Sequence, residues 1–106
     1  MDNLEEFARR RFDFNRQRLT LKEQQEQRLT VPHNGGLFRI DMTLISYLQS
    51  EKNSHIYLQD SYSNPIHVDR QKLLTLCRKR FNEVMNDWHD QYEELKKVRK
   101  VGSLDE

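Results

Sequence analysis

Four histidines, His33, His55, His67 and His89, and a single cysteine, Cys77, are the side chains best suited to metal ligation or nucleophilic attack. Their spacing supports neither. No two histidines stand three or four residues apart, and no HExxH pattern occurs. His55 and His67 could meet across a hairpin, but two ligands fall short of a structural site, which normally has four. All four therefore read as surface histidines. Cys77 falls on an apolar seam beside Leu74 and Phe81, so it reads as a small buried hydrophobe rather than a nucleophile. A lone cysteine also excludes an intramolecular disulfide. There is no P-loop, dinucleotide fingerprint, nucleophile elbow or paired-carboxylate motif, and Asn34-Gly35-Gly36 lacks the context of a phosphate loop. These residues predict no catalysis, no metal and no cofactor.

Binding chemistry is better represented. Arg9, Arg10 and Arg11 form one basic cluster, flanked by Phe7, Phe12 and Phe14, and Arg78, Lys79 and Arg80 form a second. Lys96, Lys97, Arg99 and Lys100 form a third. Phosphate contact needs such clusters on one continuous face. Acidic residues interleave all three, and 18 Lys+Arg against 17 Asp+Glu give a net charge of only +1. A salt-bridged, solvated helix surface outweighs nucleic-acid binding, which stays as the alternative. The stronger candidate is apolar. Phe81, Val84, Met85, Trp88, Tyr92 and Leu95 recur at helical spacing, and too little apolar surface elsewhere exists to cover them. Trp and Tyr often anchor interfaces, so this stripe predicts a protein partner, foremost a second copy of the chain.

The elements that must carry these residues are legible. Asp2 or Asn3 can cap a first helix over about residues 3–29, with Glu5 or Glu6 completing a capping box. Its stripe, Leu4, Phe7, Phe14 and Leu21, is thin. Asp69 caps a second long helix over 70–100, where Leu74, Cys77, Phe81, Val84, Trp88, Gln91, Leu95 and Val98 follow a 3-4 alternation. That helix would be about 46 Å long, against a radius of gyration near 13 Å for a compact domain of about this length. It is expected to pair lengthwise with the first helix, with another chain, or with both, and the charge pattern suits either pairing. An antiparallel pairing in which Phe14 faces Val84 and Leu21 faces Cys77 brings Glu26 to Lys72 and Arg16 to Glu83.

Between the helices, Asn34-Gly35 marks a hairpin turn within 30–40, with Pro32 on an edge. Asp41 caps a short helix over 42–51, and 55–59 and 66–68 alternate like strands around the loop 60–65. Ile56, Leu58, Ile66 and Val68 would face inward, and His55, Tyr57 and His67 outward. The fold class is thus α+β: two long antiparallel helices with a small head of hairpins and a short helix inserted between them. Residues 1–100 read as a single domain, and 101–106 as a disordered tail beyond a helix stop at Gly102.

Composition agrees with a small core. Of 106 residues, 35% are hydrophobic and 33% charged, against about 25% charged in an average chain. No run approaches the roughly 20 apolar residues of a membrane span, and no secretory signal is evident. A cytoplasmic setting follows as the expectation. The stretches His33-Asn34-Gly35-Gly36-Leu37-Phe38, Asp60-Ser61-Tyr62-Ser63-Asn64-Pro65-Ile66 and Val84-Met85-Asn86-Asp87-Trp88-His89 resemble small proteins of T4-like myophages, particularly those infecting cyanobacteria. The resemblance spans most of residues 1–100. It implies a virus-encoded protein of the host cytoplasm or the particle, and carries over no active residue. The expected function is non-enzymatic: a self-associating interaction or assembly protein, a homodimer or higher homo-oligomer. Nucleic-acid binding, or a grip on one host or phage protein, is the alternative.

Overall fold

The computed structural model describes residues 2–104. The order is α1 (Asp2–Arg28), β1 (Thr30–His33), β2 (Gly36–Arg39), α2 (Met42–Ser50), β3 (His55–Gln59), β4 (Pro65–Asp69) and α3 (Arg70–Leu104). The fold is α+β, as the spacing predicts. The residues group into two compact units: a head, 27–84, and a helical unit of 2–26 with 85–104. α3 contributes to both. Two termini differ from expectation. α1 is already helical at Asp2, so the capping residues proposed there lie inside the helix. α3 runs through Gly102 to Leu104 rather than stopping near residue 100, and residues 105–106 lie outside the described chain.

The head consists of two separate antiparallel hairpins, β1–β2 and β3–β4. Asn34 (φ 49°) and Gly35 (φ 83°) both adopt the left-handed conformation that a two-residue hairpin turn demands. This places Val31 opposite Phe38 and His33 opposite Gly36. Asp41 caps α2 as its sequence predicts, its carboxylate accepting from Leu44 N–H at 2.7 Å. Arg70 finishes the other end of α2: its Nη1 donates to the Leu48 carbonyl at 2.8 Å and its Nε to the Asn53 carbonyl at 3.1 Å. Asp69 caps α3, accepting from Lys72 N–H at 3.2 Å.

Each hairpin turns one face inward. Val31, Phe38, Ile40, Ile45, Leu48, Ile56, Val68, Leu73, Leu74, Cys77 and Val84 are buried. Leu58 and Ile66 are half-buried, while His55, Tyr57 and His67 point to solvent. Burial pushes the Cys77 thiol up to about 11, with the Asp41 charge adding to the rise, so it stays protonated at neutral pH.

No strand ladder joins the hairpins; side chains and one turn do. The Asp60 carboxylate accepts from Asn64 N–H (2.9 Å) and Tyr62 N–H (3.1 Å) of its own turn and from Leu37 N–H (3.2 Å) of β2. Ser61 N–H donates back to the Leu37 carbonyl at 2.8 Å. Asn34 Nδ2 donates to the His67 carbonyl at 2.9 Å, and His33 Nε2 accepts from Asp69 N–H at 3.2 Å. These bonds need close approach, which Gly36 permits: a Cβ there would stand 2.6 Å from Ile66 Cγ1.

Two outcomes test this joint. Gly36→Ala forces the hairpins apart and is expected to cost about 1–3 kcal/mol in denaturant unfolding, as overpacking does. The N–H groups of Asn64, then Leu37 and Tyr62, hold the Asp60 carboxyl below its usual range. Its contribution is therefore present above pH about 4 and is lost as pH falls through the folded value. Circular dichroism from pH 6 to pH 2.5 should show Asp60→Asn less stable than the parent at pH 6, with a shallower acid loss.

Candidate functional site

The candidate site lies in the helical unit. Gln25 of α1 is only 3% exposed, and its Nε2 donates to Gln91 Oε1 of α3 at 2.8 Å. Next to this contact, Arg18, Leu19 and Lys22 of α1 and Met85, Trp88, His89 and Tyr92 of α3 line a half-open cleft of about 510 Å³. The expected register does not hold, because it would set Gln91 opposite Phe7. Leu73, Leu74, Cys77 and Val84, the apolar face that α1 was expected to meet, are buried residues of the head unit. Gln25, a polar residue outside the predicted α1 stripe, is a buried contact residue.

The predicted stripe is accordingly divided. Val84 is fully buried in the head, so its place in an interface is corrected: it is core. Phe81, in the head, and Leu95, in the helical unit, are half-buried. Met85, Trp88 and Tyr92 remain half-buried around the cleft, and Leu19 is 54% exposed at its edge. Sequence spacing missed Arg18, Leu19 and Lys22, because a residue's place on a partner helix depends on register.

The cleft sets the cationic Arg18 and Lys22 of α1 beside apolar and aromatic side chains, and carboxylates stand next to its lining residues. On the α1 side Arg18 stands beside Lys22, whose Nζ lies 3.8 Å from Glu26. On the α3 side the ring nitrogens of His89 lie 3.6 Å from Asp90 and 3.8 Å from Glu93. Lys96 Nζ sits 5.5 Å from the centre of the Tyr92 ring and 3.5 Å from Glu93. Cation and ion pair together hold that ring, although exposed pairs of this kind contribute only about 0–1 kcal/mol each.

Arg9, Arg10 and Arg11 are exposed on α1 in the helical unit. Arg78 and Lys79 are exposed and Arg80 half-buried on the head portion of α3, where the Arg78 guanidinium donates to the Gln49 side-chain carbonyl. On the outer face of β3–β4, His67 contacts the His55 ring (centroids 5.3 Å) and the Tyr57 ring (5.1 Å), with His55 diagonal to it rather than opposite. Among the described residues no three His, Cys, Asp or Glu side chains gather in a metal-binding group. His33 is corrected from surface to buried, 9% exposed, with its ring edge-on to Phe38 at 6.5 Å. A second, more open cleft in the head includes Phe38, Leu44 and Leu58. Its carboxylates, Asp41 and Asp60, already hold backbone N–H groups.

No family model, curated protein or solved structure matches the chain. Among the described residues no helix is long and apolar enough to cross a membrane.

Truncating Gln91 should register at the helix contact. Gln91→Ala removes the bond to the buried Gln25 amide and is expected to cost about 0.5–1.5 kcal/mol in denaturant unfolding. Circular dichroism at 222 nm should show the helices still formed.

Proposed function

We propose that the protein is a non-enzymatic, virus-encoded interaction or assembly protein that self-associates through the C-terminal half of α3. The observation that carries this reading is the cleft where Met85, Trp88 and Tyr92 stay half-exposed beside an exposed Leu19. Large aromatics left with open faces beside apolar neighbours are the usual anchors of an interface.

Charge favours a second copy. About a two-fold axis parallel to the helices, the Arg18 and Lys22 side of one protomer meets the α3 side of its partner, where Asp90 and Glu93 flank His89. Within each protomer Leu19 and Lys22 share the cleft with Met85, Trp88 and Tyr92, and Gln25 lies against Gln91.

The test is the joint substitution Trp88→Ala and Tyr92→Ala, read by sedimentation equilibrium. Interface anchors of this kind typically contribute about 2 kcal/mol or more each, roughly a thirtyfold loss of affinity or more. The parent should sediment as a dimer or larger, and the variant as a monomer near 12.9 kDa with unchanged helical circular dichroism. A parent that stays monomeric at high concentration, or an unchanged mass in the variant, contradicts the proposal.

A further inference from the structure

The residue that joins β1 to the start of α3 is a buried, uncharged histidine, and we propose that it makes the head's joint sensitive to pH. His33 closes β1, 9% exposed, with its ring edge-on to Phe38. Its Nε2 accepts the Asp69 N–H at 3.2 Å. An imidazole nitrogen that accepts a hydrogen bond carries no proton, so the ring is neutral with its proton on Nδ1. Asp69 is where β4 passes into α3, and its carboxylate caps that helix through Lys72 N–H. One ring therefore grips the backbone of the residue on which both the second hairpin and the long helix begin.

Protonation reverses the sign of this contact. Nε2 becomes a donor facing a donor, and the Asp69 N–H loses its acceptor inside the fold. The charged groups around the ring pull in different directions. From the β4–α3 junction the Asp69 carboxylate favours the imidazolium, while from the first turn of α3 Lys72 opposes it. From β2 the packing neighbour is Phe38, which offers no charge. Asp69 is itself shared, interacting with Lys72 and His55 as well as His33. An imidazolium that turned to the Asp69 carboxylate would draw it from the Lys72 N–H and so weaken the cap of α3 as well.

Burial is the largest influence and holds His33 below the ordinary histidine value of 6.5. A base whose folded value is depressed leaves stability intact at high pH. Stability falls as pH drops below 6.5, where the unfolded chain takes up the proton first, and the fall ends at the folded value. The loss is tenfold in the folding equilibrium for each pH unit that separates the two. The window opens at 6.5, well above the ordinary carboxylate range, and Asp60 and Asp69 are both held below that range, so the onset of the His33 effect precedes theirs on acidification.

The experiment is amide hydrogen exchange by NMR on the full chain at pH 7.5 and pH 5, with protection corrected for the intrinsic pH dependence of exchange. His33→Gln is the companion variant, because its side-chain oxygen reaches as Nε2 does and does not titrate. The parent should lose protection at Asp69 and Lys72 on acidification, and His33→Gln should not. Parallel loss in both proteins overturns the proposal. Should the variant fail to fold, the ring nitrogens of the parent decide. An Nδ1-protonated tautomer at pH 7.5 that titrates below 6.5 supports the proposal, and an Nε2-protonated ring or a value at or above 6.5 defeats it.

Discussion

The three-way grip of the Asp60 carboxylate is the constraint on which the head depends. A two-stranded hairpin alone in water is at best marginally stable, and this chain has two of them with no ladder between. Asp60 closes the 60–64 turn through Tyr62 and Asn64 and reaches across to Leu37 of the other hairpin. Desolvating a carboxylate is costly unless N–H groups replace the water, and here three do. The remaining links, His33 to Asp69 and Asn34 to His67, follow once the hairpins are held close enough for Gly36 to abut Ile66. Only then do Phe38, Ile40, Val68 and Leu73 share one core.

The helices obey a different economy. α1 is polar almost throughout, and Phe14 is its one buried large apolar side chain among the described residues. α3 spends its first apolar turns inside the head and reaches the helical unit with Met85, Trp88 and Tyr92 incompletely covered. A half-exposed tryptophan beside an exposed leucine is the kind of contiguous apolar surface that interfaces use. This is why the proposed function rests on that cleft and not on the basic clusters.

Much of the fold was legible in local chemistry. Asn34-Gly35 names its turn because both positions require positive φ, and Asp41 and Asp69 name helix starts because their carboxylates answer orphan N–H groups. The alternation of 55–59 and 66–68 sorts buried from exposed side chains correctly. What failed was long-range. The register between α1 and α3 could be argued from charge, but weak exposed pairs tolerate many registers, and the buried Gln25–Gln91 contact lies far along α3 from the expected one. Val84 read as part of an exposed stripe because periodicity reports a helix face without saying what covers it. Asp60 read only as loop chemistry. Its spacing to Tyr62 and Asn64 signals the turn, whereas its bond to Leu37 depends on how two hairpins meet. His33, polar and next to a turn, carried no local sign of burial.

The central claim is that a second copy covers the Trp88 cleft. The chain has a single tryptophan, so its fluorescence reports that surface alone. Emission and acrylamide quenching of the parent protein across a wide dilution series are the most direct measurement. The account predicts a shielded, blue-shifted Trp88 at high concentration that becomes red-shifted and readily quenched on dilution, along a single binding curve. Emission and quenching that stay constant at every concentration, with the indole half-exposed throughout, would contradict it.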